Sequence, residues 1–202
     1  MKIELANCSK SFNNQIIINQ LSYKIEPNSC TSILGNNGAG KSTLTLLLAG
    51  ILKPTTGQVN WSYRGQELNS DKVYEFLSLT SPAMVLPEEY NISELLTYHS
   101  SFRNLKPGLN EDEIIHLCEF DKTITGKAIK NFSSGMKQRI KLCLAFFSEA
   151  SLRIFDEPTE NLDTQGQSLF HYLLEKEIGK STIIIASNRK EDCIKCNDSI
   201  IL

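Results

Sequence analysis

The sequence lacks long hydrophobic runs, an excess of charge of one sign, and cysteines at paired spacings. No stretch approaches the roughly 18 uninterrupted apolar residues of a membrane-spanning helix, and the first residues, MKIELANCSKSF, contain no apolar core of the length that a signal peptide needs. We therefore expect the chain to stay in the cytoplasm.

The 21 basic and 23 acidic residues give a formal net charge of -2, which provides no broad attraction for nucleic acid or anionic lipid. We expect no nucleic-acid partner.

The six cysteines are scattered along the chain, and only Cys193 and Cys196 form a CxxC pair. A zinc site needs a second pair or nearby histidine ligands, and a disulfide framework needs paired spacings. The pattern therefore favours reduced, structural thiols over a metal or redox site.

Short apolar, β-branched runs alternate with helical segments, which predicts an α/β protein with a largely parallel sheet. The composition, 41% hydrophobic and 22% charged, is that of a globular protein. Alternating stretches before residue 30 and at 57–68 predict a small antiparallel β-subdomain, and residues from about 82 to 131 predict an inserted helical subdomain. We treat residues 1–202 as one domain. The expected core strands are residues 31–34, 75–79, 152–155, 182–186 and 199–202.

A glycine-rich stretch, GNNGAGKST at residues 35–43, matches the GxxxxGK[ST] pattern between an apolar strand and an apolar helix. Backbone N–H groups in such a loop turn inward around a β-phosphate, and the following helix adds the positive end of its dipole. Lys41 then bridges the β- and γ-phosphates, and the Ser42 hydroxyl binds Mg²⁺. The sequence thus predicts a site for Mg²⁺ and ATP. Its nucleotide-binding residues are Gly35, Asn36, Asn37, Gly38, Ala39, Gly40, Lys41, Ser42 and Thr43.

A second apolar strand ends in two acids, in the segment LRIFDEPTENLD at residues 152–163. Asp156 lies at the carboxyl end of this strand, where open α/β sheets bind ligands, and is expected to hold the metal. Glu157 is expected to polarise the water that attacks the γ-phosphate. On its own an apolar strand followed by two acids is a weak signal, and the phosphate loop strengthens it.

Upstream of the acidic strand, residues 131–139 read NFSSGMKQR. With the phosphate loop and the acidic strand, this segment resembles the signature motif of the ATP-binding subunits of ABC transporters, and the resemblance covers essentially the whole chain. It implies a P-loop NTPase with a RecA-like core sheet, an N-terminal antiparallel β-subdomain and an inserted α-helical subdomain. It also implies a head-to-tail pair of subunits that sandwiches two nucleotides.

The resemblance assigns further residues to this sandwich. Ser133 and Gly135 match the signature positions that contact ATP held by the opposing subunit, Asp163 belongs to the D-loop of the same interface, and Phe12 lies where an aromatic ring stacks on adenine. Taken alone, a phenylalanine in a strand is more often a core residue. The whole signature turn is Ser133, Ser134, Gly135 and Met136.

Several positions depart from the family pattern. Ser81 stands near the expected glutamine that binds magnesium, and Asn188 stands where the family has histidine. Ser134 and Met136 replace the usual glycine and glutamine. Asparagine can donate a hydrogen bond to a phosphate oxygen but cannot carry the positive charge of imidazolium. We therefore expect ATP binding with slow hydrolysis, below about 1 per second.

The resemblance implies a transporter motor: ATP closes two copies of the chain, most simply a homodimer, and hydrolysis drives a separate permease at the inner face of the membrane. Met84, Val85 and Leu86 either form the docking surface for that permease or cap the domain's own core. The chain ends at Leu202 in an expected core strand, which predicts no regulatory extension. Two alternatives stay open, namely a soluble ABC ATPase in assembly, repair or translation control, and a nucleotide-sensing subunit paired with a more active partner.

Overall fold

The computed structural model describes residues 1–202 and contains two sheets. The first sheet has the strand order β2-β1-β4-β5, with antiparallel pairing throughout. Ile3 pairs with Ile25 on one side and with Trp61 on the other, so that alternate side chains form one buried face. The strands are β1 (Lys2–Phe12), β2 (Gln15–Ile25), β4 (Thr56–Tyr63) and β5 (Gln66–Leu68). The predicted antiparallel β-subdomain is confirmed.

The second sheet has the order β6-β7-β8-β3-β9, and β3 pairs in parallel with both β8 and β9. Every residue of β7 and β8 is buried, as expected for parallel strands that are covered on both faces. The strands are β3 (Cys30–Leu34), β6 (Leu77–Thr80), β7 (Leu152–Asp156), β8 (Thr182–Ser187) and β9 (Asp198–Ile201). The predicted α/β class with a largely parallel sheet is confirmed.

One predicted strand is displaced. The stretch predicted as a strand at 75–79 begins inside a 3₁₀ helix, Ser70–Phe76, and the strand itself starts at Leu77. Val73 is fully buried and Phe76 is partly buried against the core. This spacing of three residues fits the three residues per turn of a 3₁₀ helix, so burial of one helical face outweighs the β-propensity of the segment.

Five α-helices complete the fold, each with a local start signal or a buried face. Asn91 and Glu94 form a capping box at the start of α2, and Asn110 and Ser133 cap α3 and α4 through their side chains. The helix at residues 164–177 is not among the elements that the sequence predicted. The helices are α1 (Lys41–Leu48), α2 (Ile92–Ser100), α3 (Glu111–Leu117), α4 (Ser134–Phe147) and α5 (Thr164–Glu177).

The chain divides into two compact units. The first unit consists of Met1–Leu79, Ala150–Glu157 and Glu177–Leu202, and the second of Thr80–Glu149 and Pro158–Lys176. The helical insertion predicted at about 82–131 lies within the second unit. No helix is both long enough and apolar enough to cross a membrane.

A charged pair lies inside the core of the first unit. Arg153, in the middle of β7, has no exposed surface, and its Nε atom lies 3.0 Å from Oε1 of the buried Glu177. Desolvation lowers the pKa of Arg153, and the Glu177 carboxylate opposes this shift. The pair joins β7 to the end of α5.

All six cysteines are free thiols. Cys30 and Cys196 approach each other, with 2.9 Å between their Sγ atoms, and Cys193 lies close to Cys196. Hydrogen bonds with these neighbouring thiols, together with burial, raise the pKa of Cys196, which disfavours the reactive thiolate. The structure contains no group of three or more His, Cys, Asp or Glu side chains that could hold a metal ion by themselves.

Candidate functional site

The phosphate loop connects β3 to α1 and depends on two glycines with positive φ. Gly38 has φ +84° and Gly40 has φ +103°, a region that L-residues rarely adopt. A Cβ atom on Gly40 would also lie 2.8 Å from Cγ2 of Ile17, which is closer than real Cβ contacts. Glycine at position 40 is therefore required both by backbone conformation and by the approach of β2.

The start of α1 is suited to an anion. Gly40 is the N-cap residue, no side chain caps the helix, and the first turn contains no acidic residue. The first amide groups of a helix have no partner within the helix, and the helix dipole makes this end positive. A phosphate group would provide both the acceptor oxygens and the negative charge that this end favours.

Lys41 is the buried cation of the loop, with only 6% of its surface exposed. Its Nζ atom donates to the carbonyl oxygen of Gly35 at 2.9 Å and to that of Asn36 at 3.3 Å. The same Nζ atom lies 3.1 Å from Oε1 of Glu157. The ammonium group is thus held between the loop backbone and the carboxylate that follows β7.

Two acids stand at the carboxyl end of β7. Asp156 is 4% exposed and pairs in register with Ala186 of β8. Glu157 follows with φ +45°, and its N–H group donates to the Ala186 carbonyl oxygen at 2.8 Å. A non-glycine residue in this conformation costs about 1–3 kcal/mol, and such strain gathers at functional sites. The carboxylate of Asp156, at the end of β7, and the hydroxyl of Ser42, at the second residue of α1, are hard oxygen donors of the kind that Mg²⁺ prefers.

Residues at the end of β8 contact the second carboxylate oxygen of Glu157, the one that does not pair with Lys41. Oε2 of Glu157 lies 3.2 Å from Oγ of Ser187 and 3.3 Å from the backbone nitrogen of Asn188. The side-chain amide of Asn188 donates to Oδ1 of Asn37 in the phosphate loop, over 3.0 Å. The structure therefore brings four of the predicted residues together, namely Asn37, Lys41, Glu157 and Asn188.

Two further residues of this arrangement were not predicted. Oγ of Ser187 lies 2.7 Å from Oδ2 of Asp192, and both side chains are buried. The only signal in the sequence was a hydroxyl at the end of an apolar strand, followed five residues later by an acid. Nothing in that spacing shows that the turn after β8 folds back and brings the two together.

Phe12 lies at the last position of β1, next to the hairpin turn, and is 46% exposed. It pairs with Gln15 across the hairpin, and Nζ of Lys10 lies 5.0 Å from the centre of its ring. The side chain is therefore a surface residue and not part of the core.

In the second unit, the signature turn forms the start of α4. Oγ of Ser133 accepts a hydrogen bond from the N–H group of Met136 at 3.2 Å, and the helix begins at Ser134. A Cβ atom on Gly135 would lie 3.0 Å from the carbonyl oxygen of Asn161, so the close approach of that loop favours glycine. Ser133 and Ser134 are exposed.

Asp163 lies just before α5 in the same unit. Its Oδ1 atom accepts hydrogen bonds from the guanidinium of Arg139 and from the N–H group of Gly166, the latter at 2.9 Å. The Gly166 N–H group first, and Arg139 next, lower the pKa of Asp163. The neighbouring Gln138 donates to the carbonyl oxygen of Pro158 at 3.0 Å. Arg139 and Gln138, which sequence reasoning did not single out, thus tie α4 to the segment that contains the predicted D-loop.

Ser81 follows β6 and is half-buried, and its backbone carbonyl oxygen accepts a hydrogen bond from the Met84 N–H group at 3.2 Å. Beyond it, Met84 is 45% exposed and Val85 is 81% exposed, whereas Leu86 is half-buried. Exposure of the first two side chains contradicts the alternative that all three cap the domain's own core. Two ion pairs hold the far end of the same loop, Glu88 with Lys137 and Glu89 with Lys130.

Comparisons with known sequences and with known structures agree on one protein family. A sequence model described as ABC transporter matches residues 18–160. The uncharacterized ABC transporter ATP-binding protein YybJ of Bacillus subtilis (strain 168) is 30% identical over 206 residues, which cover 97% of this chain and 89% of YybJ. The zinc import ATP-binding protein ZnuC of Buchnera aphidicola subsp. Baizongia pistaciae (strain Bp) is 29% identical over 201 residues, covering 98% of this chain and 79% of that protein.

Among solved structures, the chain is similar to a dimeric ATP-binding cassette in a post-hydrolysis state, bound to ADP and Pi. The TM-score is 0.78 at 21% sequence identity, and the match covers 99% of this chain and 94% of the other. At this level of identity the likeness establishes the fold.

Proposed function

Because this chain belongs to the ABC transporter family of ATP-binding proteins, we propose that it binds and hydrolyses ATP to drive a separate membrane permease. The observation that carries the proposal is the ion pair of Lys41 with Glu157 across the mouth of the phosphate loop. It joins the cation that would bind the phosphates to the carboxylate that would activate water. Proteins of this family are generally ATPases, and coupling of this chain to transport is our inference.

Nucleotide binding begins with the loop backbone. The amide groups of residues 35–43 surround the β-phosphate, and Lys41 leaves its carbonyl and carboxylate partners to contact the β- and γ-phosphates. Mg²⁺, when bound, neutralises charge on the phosphate oxygens. Ser42, Asp156 and Ser81 are the side chains proposed to hold it, and Phe12 is proposed to stack on adenine.

Hydrolysis is assigned to the carboxylate and the amide next to it. Glu157 accepts a proton from the attacking water through the oxygen that Ser187 and Asn188 surround. The Asn188 side chain, which contacts the loop through Asn37, donates a hydrogen bond toward the γ-phosphate. Because an amide brings no positive charge to the developing negative charge, turnover is slow.

A second copy of the chain completes the site. The exposed Ser133 and Ser134 at the start of α4, with Gly135 and Met136, offer hydroxyl and amide donors to the γ-phosphate of ATP held by that copy. Asp163 contributes to the same interface. Support for pairing comes from the dimeric state of the similar ADP-bound cassette. A homodimer needs no further component.

The permease is proposed to dock on the loop that follows β6. Met84 and Val85 present an apolar surface in a loop whose far end forms two ion pairs, and exposed apolar area of this kind is typical of a docking surface. The chain would then work in the cytoplasm, at the inner face of the membrane.

Met84→Asp should release the chain from membranes while its affinity for ATP stays unchanged. Recovery of the unmodified chain in the soluble fraction alone, after mild lysis, would favour the soluble ABC ATPase instead.

The decisive experiment is calorimetric titration of the chain with Mg·ATP. Lys41→Ala should weaken binding by about tenfold to a hundredfold, because each hydrogen bond to a charged group contributes about 1.5–3 kcal/mol. Lys53→Ala is the matched control, since Lys53 is an exposed lysine of the same unit, and its affinity should equal that of the unmodified chain. Absence of detectable Mg·ATP binding by the unmodified chain would refute ATP binding and every role that depends on it. Equal measurable affinities of the chain and its Lys41→Ala variant would refute the role of Lys41 in binding the phosphates.

A further inference from the structure

The Ser187 hydroxyl stands between two carboxylates. Its Oγ atom lies 2.7 Å from Oδ2 of Asp192 and 3.2 Å from Oε2 of Glu157, and it accepts a hydrogen bond from the Arg189 N–H group at 3.0 Å. Ser187 is completely buried and Asp192 is 1% exposed. Neither side chain can therefore exchange its partner freely with water.

The hydroxyl has only one proton to donate, so the two carboxylates compete for it. Hydrogen bonds from a hydroxyl to a carboxylate are about 2.5–2.7 Å long, and hydroxyl donors rarely act beyond about 3.0 Å. The distance to Asp192 fits this range and the distance to Glu157 does not. The proton of Ser187 therefore points toward Asp192.

This orientation has a consequence for Glu157. Its Oε2 atom keeps only a long contact from the Asn188 N–H group, at 3.3 Å, because the nearer hydroxyl has given its proton elsewhere. A carboxylate oxygen with few donors around it remains a good acceptor, whereas a strong additional donor would stabilise its charge and compete with water.

We propose that Asp192 is a positioning residue: it holds the Ser187 proton away from Glu157 and so keeps Oε2 of Glu157 available to accept a proton from water. This inference rests on the proposed function, in which Glu157 activates the attacking water. Asp192 does not touch the reacting atoms and acts only through the direction of one hydroxyl group.

The test is a pair of substitutions with opposite effects. In Asp192→Asn the hydroxyl faces a neutral amide on one side and the charged Glu157 on the other, and charge-assisted hydrogen bonds are about twice as strong. The proton then turns to Glu157, and kcat should fall by about tenfold while the affinity for Mg·ATP changes by less than about twofold. Adding Ser187→Ala removes the surplus donor, so the double variant Asp192→Asn/Ser187→Ala should recover most of the lost kcat.

Glu191→Gln is the matched control, because it removes an exposed negative charge from the same turn and should leave kcat unchanged. A purely structural role for Asp192 predicts the opposite pattern, in which the double variant is as slow as Asp192→Asn or slower. That result, or an unchanged kcat in Asp192→Asn, would overturn the proposal.

A second measurement needs no variant and no turnover. Neutron diffraction from crystals of the unmodified, deuterated chain should locate the Ser187 deuterium on the line to Oδ2 of Asp192. A deuterium directed at Glu157 would overturn the proposal even if Asp192→Asn failed to fold. Absence of ATP hydrolysis by the unmodified chain would instead refute the proposed function, and the neutron result would still decide where the proton lies.

Discussion

Nζ of Lys41 lies 3.1 Å from Oε1 of Glu157, so the two charged groups at the mouth of the phosphate loop neutralise each other. Lys41 is nearly buried, and 21% of the Glu157 side chain is exposed. A γ-phosphate would compete with this carboxylate for the same ammonium group, and its own charge would be repelled by Glu157. Glu157 should therefore oppose nucleotide binding while it promotes hydrolysis.

Glu157→Gln should separate these two effects. Loss of the carboxylate removes the competitor for Lys41 and the repulsion of the γ-phosphate, so the affinity for Mg·ATP should rise by about threefold to tenfold. The same change removes the proton acceptor, so kcat should fall by at least about a hundredfold. Titration calorimetry and a phosphate-release assay measure the two quantities. The exposed Glu160→Gln is the control, and weaker ATP binding by Glu157→Gln would contradict this reading of the ion pair.

The loop and the two strand ends could be predicted because their signals are local. The GxxxxGK[ST] spacing lies between an apolar strand and an apolar helix, and β7 and β8 are largely apolar runs that end within a residue of their predicted ends. Burial on both faces dictates such runs, so the sequence carries the information directly.

The contacts around Glu157 could not be predicted, because they depend on how separate segments fold back on each other. Whether Ser187 reaches Asp192 is decided by the turn after β8, and the positive φ of Glu157 is a property of the completed sheet edge. The predicted start of β6 was wrong for a related reason. Burial of Val73 and Phe76 on one helical face overrode the local strand pattern.

Asn188→His should accelerate ATP hydrolysis by about tenfold, because imidazole can bring a positive charge to the developing charge on phosphate. The backbone N–H group of residue 188 still reaches Glu157, since that contact does not involve the side chain. The side-chain bond to Asn37 is lost or replaced by a ring N–H donor. A phosphate-release assay at saturating ATP checks the rate. An unchanged or lower rate would contradict the role assigned to the side chain at position 188, and Asn188→Ala should be slower than the unmodified chain.

His99 should make the second unit sensitive to acid. Ser148 donates its own hydroxyl proton to the Leu144 carbonyl oxygen at 2.6 Å, so Nε2 of His99 must be the donor in the 2.8 Å bond between the two side chains. Burial, and to a lesser degree Arg103, lowers the pKa of His99 from 6.5. The unfolded chain therefore binds the proton more readily than the folded one. The stabilising contribution is complete above about pH 6.5 and is lost as the pH falls toward the lowered folded-state pKa.

The measurement is the thermal unfolding midpoint between about pH 7.5 and about pH 5.5. His99→Gln keeps a donor for Ser148 but has no titrating ring, so its midpoint should fall less over this range than that of the unmodified chain. His116→Gln is the control, because His116 is an exposed histidine of the same unit and its replacement should leave the pH dependence unchanged. Identical pH dependence of the unmodified chain and His99→Gln would exclude His99 as the sensor.

The buried pair of Arg153 and Glu177 should behave differently in single and double variants. Arg153→Met leaves the Glu177 carboxylate without its guanidinium in the core, and breaking a buried pair in this way costs about 3–5 kcal/mol of unfolding free energy. Arg153→Met/Glu177→Leu removes both charges and fills the space with apolar atoms of similar volume. Its stability should lie within about 1 kcal/mol of the unmodified chain or above it, because the desolvation of both ions is no longer paid. The exposed pair of Lys24 and Glu26, at 2.7 Å, provides the comparison, and Lys24→Met should leave the free energy of unfolding close to that of the unmodified chain, because solvent screens the pair. Urea denaturation of the four proteins measures these differences. If the double variant were as unstable as Arg153→Met, the pair would stabilise the fold through its charges, and the desolvation argument would be wrong for this core.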